Sequence, residues 1–281
     1  MTLGLFALIL LAACLHAGWN FFAKRAGGSL TVLWLGAVVS TLATLPVAIA
    51  VQWGQPLSTE GVLIGTGSGV IHGVYWWGLA RMYRHGDISL AYPIARGSGV
   101  MGTAVGAALL VRDPMSLTGV AGIASVSLGV LALGFQRRQS GVRARAVALA
   151  LLTGASITGY SLIDDQGVEH MSPPVYLAIE TGVGAAIVGL AGRRRLRVSI
   201  APMYRAHAAT VWIVGIVSPL TYLVILFAYS LGPVGYVVAV REFSVVIAAI
   251  LGARFLGERI GFWRRAGIAL VVAGMVLIKI A

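Results

Sequence analysis

Residues 96–130 read RGSGVMGTAVGAALLVRDPMSLTGVAGIASVSLGV, and residues 241–275 read REFSVVIAAILGARFLGERIGFWRRAGIALVVAGM. The two stretches align without a gap, so that Arg96 falls on Arg241 and Gly122 on Gly267. Each places an arginine inside an apolar run that is long enough to cross a bilayer, where a charge is expensive and usually faces a cavity or a partner. A duplicated membrane unit with a polar residue near mid-depth is typical of a secondary transporter.

The composition excludes a soluble globular protein. Only 11% of the 281 residues are charged and 58% are hydrophobic, whereas a soluble domain carries about 25% charged residues. The net charge of +12 lies in short loops between apolar runs, which indicates membrane topology and not nucleic-acid binding. Cys14 is the single cysteine, so an intramolecular disulfide and a cysteine-rich metal site are both excluded.

Apolar runs predict an all-α integral membrane protein with ten transmembrane helices, because a span needs about 20 predominantly apolar residues. The predicted spans are 2–23, 30–51, 60–80, 88–111, 116–136, 146–163, 173–191, 209–231, 234–253 and 262–280.

Positive charges predict the orientation of these spans. The loops after spans one, three, five, seven and nine hold seventeen Lys and Arg residues, and the remaining loops and ends hold only Arg112 and Lys279. By the positive-inside rule the odd-numbered loops are cytoplasmic and both termini lie outside. We therefore expect a multi-pass protein of the bacterial inner membrane with periplasmic termini.

The ten spans divide into two repeats of five, residues 1–139 and residues 146–281. Because five is an odd number, the two copies must cross the membrane in opposite directions, related by a pseudo-two-fold axis in the membrane plane. Such inverted repeats make a monomer sufficient for transport, and a homodimer is an open alternative.

Three local patterns carry a family resemblance. They are His16-Ala-Gly-Trp19-Asn20 in the first span, Gly86-Asp87 running through Tyr92-Pro93 to Arg96 at the fourth, and Leu256-Gly257-Glu258-Arg259 followed by Gly267-Ile268 in the second half. These segments resemble the EamA repeat of the drug/metabolite transporter superfamily, and the resemblance covers essentially the whole chain. It implies a secondary active transporter without a cofactor, which works by alternating access around a central cavity. Relatives move amino acids, nucleotide sugars, phosphorylated sugars, amines and drugs.

Arg96 and Arg241 are the first candidates for the substrate site. Each lies about eight residues into its span, roughly 12 Å from the end at which its helix enters the membrane. Arginine offers a planar fork of donors that suits carboxylate or phosphate. Glu242 or Glu180 is expected to neutralise Arg241, whereas Arg96 has no adjacent acid and is the preferred substrate ligand.

The acids and arginines suggest two kinds of substrate. Glu242 and Glu180, taken as the only acids well inside spans, are candidates for binding an ammonium group or a coupling proton. If Glu242 binds ammonium while Arg96 binds carboxylate, the site suits an amino acid or another zwitterion. If both arginines face one anion, a metabolite bearing phosphate or phosphonate fits better.

Aromatic residues and histidines on the spans expected to line the cavity complete the candidate set. They are His16, Trp19, Asn20, His72, Tyr75, Trp76, Tyr92, Tyr160 and Tyr222. Several share a helix face, since residues three or four apart lie on one side. Packing or an interfacial position is the alternative for each single aromatic residue.

Three other functions compete with a carrier of a water-soluble metabolite. A lipid-linked-sugar flippase of the same superfamily and a passive channel both remain open. An intramembrane serine protease using Ser68 and His72 is disfavoured, because no oxyanion hole is identified, so no enzymatic activity is expected. No metal site is predicted. Asp113 and Glu258, at equivalent turns of the two halves, are predicted to cap the helices that follow.

Overall fold

The computed structural model describes residues 1–85, 88–111, 115–134, 144–256 and 261–281, and within these ranges it contains helices and no strand. The helices are α1 Leu3–Arg25, α2 Leu30–Gln52, α3 Thr59–His85, α4 Ile88–Gly106 with a π-helical turn at Ala107–Val111, α5 Leu117–Leu133, α6 Ala144–His170, α7 Pro173–Tyr229, α8 Val234–Arg241, α9 Phe243–Leu256 and α10 Phe262–Ile280. Every predicted span therefore coincides with a helical segment.

Local sequence signals account for several helix ends. Thr2 precedes α1 and its hydroxyl accepts a hydrogen bond from the Leu5 amide at 3.3 Å. Ser116 caps α5 in the same way, accepting from the Gly119 amide at 3.0 Å. The turn after α1 uses Gly27 and Gly28 with φ of 71° and 59°, a left-handed conformation that favours glycine. The predicted caps Asp113 and Glu258 lie outside the described residues.

Seven described segments are long and apolar enough to cross a membrane: Leu3–Arg25, Leu30–Gln52, Ala91–Val111, Ala144–His170, Pro173–Arg194, Leu196–Tyr229 and Val234–Phe255. Helix α5 is apolar but shorter, at 17 residues. Helix α10 carries three basic residues, and the glycines, aromatic residues and histidine of α3 lower its hydropathy. The chain is a multi-pass membrane protein.

The structure corrects the predicted helix limits at two places. Helix α6 continues past the predicted end at residue 163 to His170, so that Asp164 lies inside the helix. The basic segment between the predicted spans seven and eight is helical, and α7 runs from Pro173 to Tyr229 with a kink at His207, where φ is −134°. Arginine, leucine and alanine dominate the segment before the kink, and all three favour helix.

A single turn residue divides the ninth predicted span at its centre. Helix α8 ends at Arg241 and α9 begins at Phe243, and Glu242 between them keeps dihedrals in the helical region, with φ of −65° and ψ of −8°. All eight residues of α8 are buried. The Glu242 amide donates to the Ala239 carbonyl at 3.1 Å, and the Glu242 carbonyl accepts from the Val245 amide at 2.9 Å, so the backbone stays hydrogen-bonded through the turn.

Glycines bring α5 and α10 into close contact. A Cβ atom placed on Gly122 would lie 2.7 Å from the carbonyl oxygen of Gly274, and one on Gly129 would lie 2.8 Å from that of Gly267. Side chains at these positions would force the helices apart, so small residues set the helix spacing, as is common in membranes. Lys279 of α10 donates a hydrogen bond to the Met1 carbonyl at 3.0 Å, so the two chain ends lie at the same side of the protein.

The predicted division into halves stays a prediction, because residues 135–143, where the boundary falls, lie outside the described part of the chain.

Replacing Gly122 with leucine should destabilise the protein by about 1–3 kcal/mol, because the added side chain meets the backbone of α10. The measurement is thermal unfolding of the purified protein in detergent. Gly4→Leu is the matched control, since a Cβ at Gly4 meets nothing within 4 Å. Equal melting temperatures for the two variants would contradict close packing of α5 against α10.

Candidate functional site

A buried ion pair joins the two predicted halves. The Nε atom of Arg96 donates to Oε2 of Glu242 at 2.8 Å, and its Nη2 atom lies 2.6 Å from Oε1 of the same carboxylate. The exposed fractions of the two side chains are 2% and 0%. The first contact is a charge-assisted hydrogen bond, and the second is a close ion-pair contact without hydrogen-bond geometry. Arg96 is therefore occupied by a protein partner.

This pairing reverses the expected one. Glu242 was expected to neutralise its neighbour Arg241 and to leave Arg96 for the substrate. Consecutive residues on a helix point about 100° apart, so the Glu242 carboxylate points away from Arg241 and reaches Arg96 of α4. The Nε atom of Arg241 lies 4.0 Å from Glu242 Oε1, beyond hydrogen-bonding distance.

Arg241 is buried, with guanidinium donors that have no acceptor. Its exposed fraction is 2%, and its Nε and Nη2 atoms have no hydrogen-bond partner among the described residues. The indole Nε1 of Trp19 is likewise buried without a partner in the described part of the chain. Buried donors are normally satisfied, so these two side chains are poised to bind an acceptor that the protein itself does not supply.

Both side chains line one cavity of about 90 Å³ at the centre of the helix bundle. Its walls come from α1, α2, α3, α6, both limbs of α7, and α8. The predicted site residues that line it are His16, Trp19, His72, Tyr75, Trp76, Tyr160, Tyr222 and Arg241. Further lining residues that are polar and not among the predicted ligands are Ser40, Glu180, Thr181, Ser218 and Thr221.

Four predicted site residues lie off the cavity wall. Arg96 and Glu242 pair with each other, and Tyr92 lies beside them, with the Arg96 Cζ atom 6.0 Å from its ring centre. The side-chain amide of Asn20 donates to the backbone carbonyl of His16 at 2.8 Å, which is a local helix contact.

Aromatic rings form one side of the cavity. The ring of His72 stacks on that of Tyr160 with a centroid distance of 4.1 Å. Tyr222 and Tyr75 contact Tyr160 edge to face at 6.2 and 5.7 Å. Aromatic rings and the Arg241 guanidinium therefore line the same cavity.

A network of polar side chains adjoins the cavity around Asp164, which the sequence analysis placed outside the sixth span. Asp164 is fully buried. Its Oδ1 accepts from Ser68 and, at 2.8 Å, from the Tyr176 hydroxyl, and its Oδ2 accepts from Tyr222. Asp164 lies one helical turn beyond Tyr160, on the same face. That spacing was the sequence signal by which it could have been found.

His72 connects this network to Glu180. Its Nδ1 atom lies 3.2 Å from Oε1 of Glu180 and 3.2 Å from the Ser68 carbonyl oxygen. His72, Asp164 and Glu180 bring ligand atoms within 4.8 Å of one another. Contacts among these side chains and Ser68 join them into one polar network.

A second, larger cavity of about 990 Å³ lies at the end of the bundle that carries the α1–α2 turn. It shares no lining residue with the central cavity. Arg81, Arg193 and Arg194 line it together with apolar side chains, of which Val74 and Leu190 are exposed. It is therefore a groove on the outer surface of the bundle.

Comparison with known proteins assigns the family. Residues 144–280 match the model of the EamA-like transporter family. The match covers the second half of the chain. The family is part of the drug/metabolite transporter superfamily, as the sequence patterns predicted. Its members are membrane transporters and not enzymes.

A solved crystal structure shares the fold of this EamA-like protein. It superimposes with a TM-score of 0.81 over 100% of this chain and 98% of that chain, at 15% sequence identity. At that identity the comparison establishes the fold alone. No curated protein sequence matches the chain.

Substitution of Arg96 by glutamine should destabilise this EamA-like transporter by about 3–5 kcal/mol, because Glu242 is then left buried without its partner. Thermal unfolding in detergent is the measurement. The double variant Arg96→Met with Glu242→Met should recover most of the loss, since it removes both charges. Arg254→Gln, an exposed arginine at the end of α9, is the control. If the double variant is less stable than Arg96→Gln, the two residues are not energetically paired.

Proposed function

We propose that this protein is a secondary active transporter that moves a small carboxylate-bearing metabolite, and most specifically an amino acid or another zwitterion, across the bacterial inner membrane. Arg241 binds the carboxylate group. The observation that carries the proposal is the pair of unpartnered donors, on Arg241 and Trp19, that line the central cavity. The substrate and the lipid bilayer are its partners, and one copy of the chain is sufficient.

The substrate class follows from the number of free arginines. A phosphate or phosphonate would be matched best by two arginines facing one anion, and Arg96 is already engaged by Glu242. One guanidinium with two free nitrogen atoms matches the two oxygens of a carboxylate. The aromatic faces of Trp76, Tyr160 and Tyr222 suit an ammonium group on the same molecule.

Contacts between α5 and α10 support the proposed inverted repeats, residues 1–139 and 146–281. In the alignment of the halves, Gly122 corresponds to Gly267 and Gly129 to Gly274. In space, Gly122 meets Gly274 and Gly129 meets Gly267. This reciprocal exchange of equivalent positions is the pattern of contacts across a two-fold axis. Alternating access by movement of one repeat against the other is the mechanism that such folds use.

Ligand binding can be tested directly. A thermal-shift screen of the purified protein should find stabilisation by amino acids or small carboxylates, reaching about 2.7 kcal/mol at a hundredfold excess over the dissociation constant. Arg241→Gln should lose this stabilisation, because the carboxylate loses its donors, and Arg254→Gln should keep it. Stabilisation by cationic drugs alone would contradict the role of Arg241.

Transport assays distinguish the rival mechanisms. A carrier in proteoliposomes exchanges labelled for unlabelled substrate and saturates, and a passive channel does neither. Binding and uptake restricted to lipid-linked sugars would replace the proposed function with that of a flippase.

The proposed topology places both termini in the periplasm and the odd-numbered loops in the cytoplasm. In a Cys14→Ser background, a cysteine added after Ala281 should react with a membrane-impermeant maleimide from the periplasmic side. A cysteine at Ser29, in the turn between α1 and α2, should react only after the membrane is opened. Labelling in the reverse order would invert the orientation of the transporter.

A further inference from the structure

We propose that Glu180 is a proton-binding site that couples transport to the proton gradient, held in a hydrogen-bonded network with His72, Ser68 and Asp164. Proton binding converts the Glu180 carboxylate to a carboxylic acid, with the proton taken from water. The coupling rests on the proposed function, whereas proton binding itself is a property of the protein alone. Glu180 lines the same cavity as Arg241, so the proton and the substrate share one site.

The geometry of Glu180 leaves one oxygen for a proton. Its Oε1 atom faces His72 Nδ1 at 3.2 Å. Its Oε2 atom is buried and has no partner among the described residues. The exposed fraction of the residue is 2%. An ionised carboxylate normally keeps acceptor bonds to both oxygens when it is buried. A neutral carboxyl group fits this environment better, because it places no ionic charge beside a buried oxygen that no donor contacts.

Asp164 differs from Glu180 in the number of hydrogen-bond donors that contact its carboxyl oxygens. Three hydroxyl groups, from Ser68, Tyr176 and Tyr222, donate to its two oxygens. Hydrogen bonds of this kind stabilise a carboxylate in its charged form. Since the two carboxyl groups lie in one small cluster, one of them carries charge far more readily when the other is neutral. The structure assigns the charge to Asp164 and the proton to Glu180.

Charge balance in the helix bundle supports the same assignment. The described residues include four buried carboxyl groups, on Asp164, Asp165, Glu180 and Glu242, and two buried arginines, Arg96 and Arg241. Full ionisation would leave two uncompensated negative charges inside a membrane protein, where each is costly. A proton on Glu180 removes one of them. Asp165 is the most exposed of the four, at 9%.

The network also supplies a route between the two carboxyl groups. His72 Nδ1 contacts both Glu180 and Ser68, and the Ser68 hydroxyl donates to Asp164. The titratable and charged groups around Glu180 are His72 and Tyr75 on α3, Tyr160, Asp164 and Asp165 on α6, Tyr176 and Tyr222 on α7, and Arg241 on α8.

Because the proton and the substrate share one cavity, we expect them to be transported in the same direction. A protonated Glu180 removes a negative charge that would otherwise compete with the substrate carboxylate for Arg241. The substrate carboxylate and the proton therefore bind more tightly together than apart, and by linkage each raises the affinity for the other. The protein is expected to be a proton–substrate symporter whose affinity for the substrate rises as the pH falls, and a zwitterionic amino acid crosses together with one net positive charge.

Infrared spectroscopy of the purified wild-type protein tests the proton site without a substrate. The spectrum near neutral pH should contain the carbonyl band of a buried carboxylic acid, which shifts in heavy water and disappears in alkaline buffer. Glu180→Gln should lose this band. Asp164→Asn should keep the band in acidic buffer and lose it at a lower pH than the wild type, because a neutral residue 164 lets Glu180 ionise more readily. Glu169→Gln, at an exposed position of the same helix α6, is the control that keeps the wild-type band.

Three results would overturn the assignment. One is a band that survives in Glu180→Gln. Another is a band that is lost in Asp164→Asn while Glu180→Gln keeps it, which would move the proton to Asp164. The last is a wild-type band that sodium chloride removes at constant pH, which would make the cluster a sodium site. This last measurement needs no variant, so it decides the question even if Glu180→Gln does not fold.

The experiments test the proton site and the transport function independently. Loss of ligand stabilisation in Arg241→Gln reports on the substrate, whereas the infrared band reports on Glu180 alone. A protein that binds carboxylates and lacks the Glu180 band would be a carrier without this coupling site.

Discussion

The buried pair of Arg96 and Glu242 is the constraint on which the rest of the site depends. Taking a guanidinium and a carboxylate out of water costs several kcal/mol for each ion, and the cost is recovered only when the contact geometry is good. A hydrogen bond at 2.8 Å and an ion-pair contact at 2.6 Å bring the two charges together. Glu242 reaches α4 from the turn between α8 and α9. The pair thus joins the two predicted halves.

The same pair determines which charge faces the cavity. Because Glu242 is committed to Arg96, Arg241 keeps free donors although it lies next to an acid in the sequence. The positive charge of Arg241 is then balanced within the bundle by the carboxylate of Asp164 on α6. Asp164 holds its charge through three hydroxyl donors, whereas Glu180 has one histidine contact and a bare oxygen. This unequal distribution of hydrogen-bond donors between Asp164 and Glu180 is the reason that the proposed proton site lies in the same cavity as the proposed substrate site.

Apolar run length was sufficient to predict the helices, because the bilayer fixes how many residues a span needs. The site was harder to predict. Hydropathy ended the sixth span at residue 163, since two consecutive aspartates follow, although the helix continues to His170 and buries Asp164. Eight of the twelve predicted ligands line the cavity, since helical spacing puts His72, Tyr75 and Trp76 on one face. The partner of Glu242 could not be found in this way, because it depends on a contact between residues 146 positions apart.

Divergence between the two repeats explains why the paired arginines differ. In the alignment of the halves, Glu242 stands opposite Gly97. A Cβ atom on Gly97 would lie 2.8 Å from Leu131 of α5, so this position has no room for an acid. Packing therefore excludes an acid at position 97, the equivalent of Glu242. One glutamate lies near two arginines. The Glu242 carboxylate is hydrogen-bonded to Arg96 and lies 4.0 Å from the Arg241 Nε atom, so Arg241 keeps donors without an acceptor among the described residues. The duplicated arginines therefore differ: Arg96 has a structural role, and Arg241 is the residue proposed to bind the substrate.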